Sequence, residues 1–433
     1  MLQNLFLLIG NLYFYAQIDP KLCVLWLLIA LVTWLLGVAI AKNSQHKGFF
    51  LLIGLLFIFS QLFIAKYYNW LFGDLTRNFS IYQFISTVGL SYYTLAASSY
   101  LIDLYRGKLQ AEGNPITLGA YLSFFPQLLS GPIPIAYKDL AQYSKNRTLN
   151  WIQIEEASQR ILWGIVKKVI ISGMLAKPVD YIFYNHTELG LIYLWLAIIL
   201  YSFQVYMDFS GYSDMAWGIA KLLGININPN FKSPFISQTI DEFWRRWHLS
   251  LSAWLKEYIY LPLGGRGKNK AHYMLNIFLV FFVSGLWHGA NANYILWGSF
   301  NGILFVIAIL VGWTRSTKNT SNLFKSILSP LVVFILIAFT RVFFRSPDFG
   351  TAILFYQEMF RFNDLSLPDV GLQGLFYSIL LVIIEGIRQH YTHPADISNY
   401  KLPIRLAVYI AVICLIYLGW PTQNPTEYIY FKF

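Results

Sequence analysis

Unbroken apolar runs long enough to cross a bilayer recur through almost the whole chain, and they constrain the fold more than any other feature. The clearest are Leu22–Ala41, Gly48–Ala65, Ile81–Ile102, Leu191–Val205, Tyr273–Gly289, Tyr294–Val311, Leu328–Phe344, Leu372–Ile387 and Leu406–Trp420. A helix needs about 20 apolar residues to span the hydrocarbon core. In that solvent each backbone amide must find its partner inside the protein, which leaves helices or a closed barrel. Barrel strands read as alternating segments of roughly ten residues, and these runs do not alternate. Charge is scarce: Asp, Glu, Lys and Arg make up 12% of 433 residues, against about 25% in a typical soluble domain. The expected fold class is all-α, a polytopic membrane helical bundle.

Three weaker runs, Leu2–Tyr15, Leu118–Ile135 and Ile161–Leu175, bring the expected total to about eleven spans. Leu118–Ile135 contains Pro126, Gly131, Pro132 and Pro134, so a broken or re-entrant element is expected there. Leu2–Gln17 has neither a basic flank nor a small-residue cleavage site and reads as a retained first helix. The basic pairs Lys42 and Lys47, and Arg106 and Lys108, fall on one side when the N-terminus is cytoplasmic, whereas the loop carrying Lys66, Asp74 and Arg77 is mixed. No repeat or low-complexity tract appears, so residues 1–433 are expected to form one integral membrane domain.

The formal net charge of +11 fits positive-inside loops. No solvated basic face is long enough for nucleic acid. Cys23 and Cys414 both lie within apolar runs, which suits small core residues rather than a disulfide framework or metal site.

Polar residues concentrate in two places. The first, Gln238–Gly267, contains Asp241-Glu242-Phe243-Trp244-Arg245-Arg246-Trp247-His248. Read as one helix, it puts Asp241, Arg245, His248 and Ser252 on one face, beside a stripe of Trp244, Trp247, Leu251, Trp254 and Tyr258. Asp241–Arg245 and Glu242–Arg246 are i,i+4 pairs of opposite charge. An interfacial amphipathic helix fits this pattern, and so does a helix lining a wet cavity. Gly264-Gly265-Arg266-Gly267-Lys268 suits a cytoplasmic hairpin or a contact to donor phosphates.

The second place is Ser284–Asn293. His288 shares a face with Ser284, and Gly285 and Gly289 stand four apart, a spacing that admits a neighbouring backbone. An ionisable residue at membrane depth marks a pathway or site, or is a satisfied histidine at a helix end. A neutral imidazole takes a proton near neutral pH. Acylation of an alcohol by a thioester requires such a base and donors for the oxyanion; Trp287, Asn291 and Asn293 are candidate donors. His46, His390 and His393 lie in polar loops, and His186 and His272 at loop–span junctions. None has metal-ligand spacing. No P-loop, dinucleotide fingerprint or nucleophile elbow is present.

Eight segments, in order, carry a family resemblance: Leu8–Pro20; Ser91–Gly107; Phe124-Phe125-Pro126-Gln127-Leu128 with Gly131-Pro132; Tyr206-Met207-Asp208-Phe209-Ser210-Gly211-Tyr212-Ser213-Asp214; Phe243–His248; Tyr258–Gly265; Trp287-His288-Gly289; and Tyr430–Phe433. The chain resembles the membrane-bound O-acyltransferase superfamily, in the bacterial branch of alginate O-acetyltransferases and D-alanyl-teichoic-acid transfer proteins. The resemblance implies a bundle of spans and re-entrant elements around a funnel in the bacterial inner membrane. The donor, acetyl-CoA or another acyl thioester, would enter from the cytoplasm, and no tightly bound cofactor is expected. It implies His288 as the essential histidine and His248 as the second. Trp244, Asp241, Arg245, Asp208 and Asp214 are expected as further lining residues. Arg245-Arg246 and the Leu261–Gly265 ending resemble the O-acetyltransferase side. The expected partners are membrane lipid, a polysaccharide or cell-wall glycan acceptor, and an extracytoplasmic SGNH-hydrolase-like acetyltransferase or a membrane-tethered acceptor. The stretch Leu8–Pro20 resembles the family's second span, in keeping with a cytoplasmic N-terminus. D-alanyl transfer to teichoic acid is the alternative within the family. A transporter or flippase is the rival class; it would show two related halves with matched broken helices, and the single polar cluster in 238–301 argues against it. A non-catalytic scaffold is a third reading.

Overall fold

A computed structural model describes residues 1–18, 20–72, 89–267, 269–314, 323–362, 364–391 and 393–420. Asp74, Arg77, the first part of Ile81–Ile102, Lys268 and Tyr430–Phe433 lie outside the described residues. The described residues are helical with connecting loops and contain no strand. Seven of their helices are long and apolar enough to cross a membrane: Cys23–Lys42, Lys47–Lys66, Leu191–Leu222, Lys270–His288, Ala292–Leu310, Ile327–Arg345 and Leu402–Gly419. Leu372–Ile387 is a shorter apolar helix. The protein is thus a multi-pass helical membrane protein.

The chain divides into two compact units. The first comprises Met1–Ile154 and Ile219–Asn228. Its centre is Leu90–Tyr105, which is buried along nearly its whole length and packs on Pro20–Lys42 and Lys47–Lys66. Leu2–Ile18 turns its asparagines inward: Asn4 Nδ2 donates to Tyr143 O at 2.8 Å and Asn11 Nδ2 to Ser123 Oγ at 2.7 Å. As the prolines anticipate, Leu118–Ile135 is broken. It consists of the end of Pro115–Leu122, the short Phe125–Leu128 and irregular chain.

The second unit comprises Glu155–Gly218 and Pro229–Phe433. Leu191–Leu222, 32 residues long, runs well past the apolar stretch that ends at Val205. Its continuation carries Asp208 and Asp214, and these carboxylates are neutralised by Lys167 and Lys168. Both lysines sit on a π-helical insert, Val166–Ile171, inside the weak run Ile161–Leu175. Lys270–His288 and Ala292–Leu310 form a tight hairpin. A Cβ on Gly285 would stand 2.4 Å from Tyr294 O, and one on Gly298 would stand 2.5 Å from Phe281 O. Only glycine lets these backbones meet, and the hairpin fixes His288 at its turn.

Candidate active site

The stretch read as one helix from Asp241 is interrupted. Ile240–Trp244 ends, His248 adopts φ +46° and ψ +56°, and a second helix runs Leu249–Leu255 before a π turn at Lys256–Tyr260. A left-handed conformation at a residue with a Cβ costs about 1–2 kcal/mol, and such strain concentrates at functional sites. Asn230, in a loop alongside, holds this one. Leu249 N–H donates to Asn230 O at 2.9 Å. Asn230 Oδ1 accepts from Ser250 N at 3.2 Å and Ser250 Oγ at 2.8 Å. Asn230 thus serves two N-terminal amides that the side chain of His248 leaves uncapped, one through its backbone carbonyl and one through its side chain.

The break does not disperse the expected face. Asp241, Trp244, Arg245, His248 and Ser252 line one cavity of about 280 Å³, together with Ser284 and His288 from the glycine hairpin. Arg245, whose side chain is 74% exposed, and the exposed Lys256 form its cationic mouth. Asp241 accepts both short hydrogen bonds from Arg245 Nε, at 2.9 and 2.8 Å. The walls are largely apolar, with Trp247, Leu251, Ile277, Phe281 and Trp297.

His288 is 5% exposed. Its ring is met edge-on by Trp297 at 5.1 Å and Phe344 at 5.3 Å. A second cavity of about 20 Å³, room for about one water, shares Trp244, Trp247, His288 and Trp297 with the first and is also lined by Arg341. His288 therefore stands between two spaces. Arg341 is buried; its Nη1 donates to Ser202 O at 2.9 Å and its guanidinium lies 4.5 Å from the Trp247 ring centre. His248 lies 3% exposed, and burial pushes its imidazole down to about 3.

Five residues expected at the site do not line this cavity. Asn291 caps Ala292–Leu310 and donates to Pro347 O at 2.7 Å. Asn293 Nδ2 donates to Ser346 O at 3.0 Å. Both amides tie the hairpin to the loop that precedes the 349–359 helix and do not line the cavity. Trp287 is not among the lining residues, but its ring meets both histidines edge-on, His288 at 5.0 Å and His248 at 6.2 Å. Asp208 is paired with Lys168, and Asp214 with Lys167 and His393. These carboxylates join helices instead of facing the cavity. Sequence reasoning missed Asn230, because Asn228-Pro229-Asn230 reads as an ordinary turn. Lys256, Tyr260 and Tyr273 also line the cavity. They were legible only as parts of a helix and a hairpin.

Residues 113–342 match the family model described as MBOAT, membrane-bound O-acyltransferase family. A probable alginate O-acetylase, AlgI, of Pseudomonas aeruginosa is 34% identical over 92% of this chain and 79% of its own length. A peptidoglycan O-acetyltransferase of Helicobacter pylori is 32% identical over 84% of this chain and 75% of its own. A teichoic acid D-alanyltransferase of Bacillus subtilis is 26% identical over 71% and 80%.

Proposed function

The chain belongs to the membrane-bound O-acyltransferase family, and from that premise we propose that it moves an acetyl group from a cytoplasmic thioester to a hydroxyl of an extracellular polysaccharide or cell-wall glycan. The observation that carries the reading is the cavity in which two buried histidines, His288 and His248, meet behind a cationic mouth. Acetyl-CoA suits this arrangement: its phosphates meet Arg245 and Lys256, and its thioester arm enters the apolar interior. His288 is the general base. It takes the proton of the acceptor hydroxyl as that oxygen attacks the thioester carbon; the C–S bond breaks and the imidazolium returns the proton to the leaving thiolate. His248 lines the donor end.

The relatives named for alginate and peptidoglycan O-acetylation support a glycan acceptor. The hydroxyl at His288 belongs to the glycan, to a membrane-tethered acceptor, or to an SGNH-hydrolase-like partner that completes delivery outside the inner membrane. Residues 1–433 act as one membrane domain in this reading. The D-alanyl alternative is favoured by the Bacillus relative but would bring an ammonium group into the cavity. The only carboxylate lining the cavity among the described residues, Asp241, is engaged by Arg245. Purified protein incubated with labelled acetyl-CoA, with and without acceptor, tests the proposal: label transfer that stops in His288→Ala supports it, and undiminished transfer in that variant overturns it.

A further inference from the structure

Acyl transfer creates a negative charge that has to be met. As the acceptor oxygen bonds to the thioester carbon, the carbonyl electron pair moves onto its own oxygen, and preorganised donors beside that oxygen lower the barrier. The donors expected from the sequence, Trp287, Asn291 and Asn293, do not line the cavity, whereas Ser284 does.

Lys270–His288 is one continuous helix, so Ser284 and His288 stand one turn apart on one face, with Cβ atoms about 5–6 Å from each other. Helical side chains lean toward the N-terminus, which tilts the imidazole back over the turn that carries Ser284. Other hydroxyls inside helices are spent on the carbonyl one turn back: Thr94 Oγ1 gives to Leu90 O at 2.6 Å, Ser202 Oγ to Ile198 O at 2.7 Å and Ser378 Oγ to Gly374 O at 2.7 Å. The Ser284 hydroxyl makes no such bond and meets no partner among the described residues. Nor is its oxygen sealed in packing, as the unpartnered hydroxyls of Ser210 and Ser346 are. Ser284 is 6% exposed, and the space it lines is the cavity. A free O–H thus opens on that space beside His288. Tyr273, another hydroxyl in the lining, lies about 22 Å from His288 along the same helix, and Ser252 and Tyr260 stand on other elements. A base and an oxyanion donor each come within about 3 Å of neighbouring atoms of the tetrahedral centre, a spacing that one helical turn supplies.

We propose that Ser284 is a catalytic residue that donates its hydroxyl hydrogen bond to the thioester carbonyl oxygen as that oxygen becomes an oxyanion. The proposal rests on the acyl-transfer reading. The hydroxyl forms no bond to the acyl group and does not take the acceptor's proton, which passes to His288. When the C–S bond breaks, the electron pair returns from the oxygen to re-form the carbonyl.

The test is Ser284→Ala, which removes the oxygen and leaves a good helix former. With acetyl-CoA as donor, kcat is expected to fall about a hundredfold, the lower end of what one such donor contributes. S-acetonyl-CoA presents a ketone carbonyl and cannot transfer it. It is expected to bind the variant within about threefold of wild type, because the interaction is strongest in the transition state. The pH dependence of kcat is expected to keep its midpoint, since the base is untouched. Ser284→Thr, which keeps the hydroxyl, is expected to recover most of the rate. Analogue binding and melting curves show that the variants are folded. Wild-type kcat in Ser284→Ala overturns the proposal. An equal loss of analogue affinity also overturns it, by assigning Ser284 to ground-state binding, and so does a shifted pH midpoint, by making it act through His288. Acetyl label that stays on denatured wild-type protein and is absent from Ser284→Ala makes Ser284 a nucleophile and overturns it too. Failure of the wild type to transfer acetyl from acetyl-CoA at all overturns the acyl-transfer reading itself.

Discussion

Two histidines in the second unit, His248 buried and His393 half-buried, show how differently polar groups are used in an apolar bundle. His393 is fully engaged. Its Nε2–H donates to Asp214 Oδ1 at 3.1 Å and its Nδ1 accepts the Ala395 N–H at 3.1 Å. Around it Lys167 pairs with Asp214 and Glu385, each at 3.0 Å, and Tyr206 O–H donates to Glu385. This network ties together the π insert, Leu191–Leu222, Leu372–Ile387 and the 393 loop. His248 stands at a strained backbone position in a cavity wall; its Nδ1 meets Asn230 Oδ1, and its Nε2 is buried with no partner among the described residues. A polar cluster that closes on itself holds helices together, whereas His248 sits on a strained turn in the wall of a cavity.

The sharpest way to break this contrast is at His288. His288→Ala is expected to lower acyl transfer by about a thousandfold, within the usual reach of a general base, while the melting temperature in detergent stays in place. A residual rate near wild type would remove the cavity from the chemistry. The opposite pattern is expected at Lys167. Lys167→Leu takes the shared cation from two carboxylates, a loss of about 3–5 kcal/mol. The readout is the yield of monodisperse protein and its melting temperature, with turnover per folded molecule retained. Unchanged stability would mean that the network is not a fastening.

Acid should weaken the fold. Burial lowers His248 to about 3, and burial, partly offset by Asp214, lowers His393 to about 4. Between those values and about 6.5, where free histidine titrates, the unfolded chain binds protons that the folded one refuses. The associated stability is complete above about pH 6.5 and is lost as pH falls, by at most about 1.4 kcal/mol per unit for each histidine. Melting temperature is expected to fall from pH 7 to pH 4.5, and His393→Gln to flatten the slope; a curve level in that range would contradict the buried neutral state. The smallest effect is expected at Asn291. Asn291→Ala removes a cap and about 1 kcal/mol of stability and leaves the acetyl-transfer rate as it was. A large drop in rate would return Asn291 to the site.

Much of this was legible in the residues. Seven of the nine clear apolar runs fall on helices long enough to span and Leu372–Ile387 on a shorter one, fewer among the described residues than the total of about eleven expected. The prolines of Leu118–Ile135 predict its break, and Gly285 predicts the close hairpin. His288 and His248 stand out because a titratable group among Trp, Phe and Leu is costly. Asp208 and Asp214 stand out for the same reason, and no local pattern distinguishes them from the histidines. Their partners lie 40 and 47 positions away in Lys168 and Lys167. Helical periodicity places Asp241, Arg245 and His248 together correctly, although the helix behind that reasoning is interrupted at His248.

The sequence by itself determined the solvent. With so little charge and such long apolar runs, the chain must bury its backbone hydrogen bonds in membrane helices, and that follows from composition and period alone. Tertiary structure decided which polar residues are spent on one another and which side chains line a cavity. That choice depends on oxygen and nitrogen atoms brought together from distant positions, Asn230 against His248 and Lys167 against Asp214 and Glu385. Hydrogen bonds act over about 3 Å, so no property of one segment foretells them.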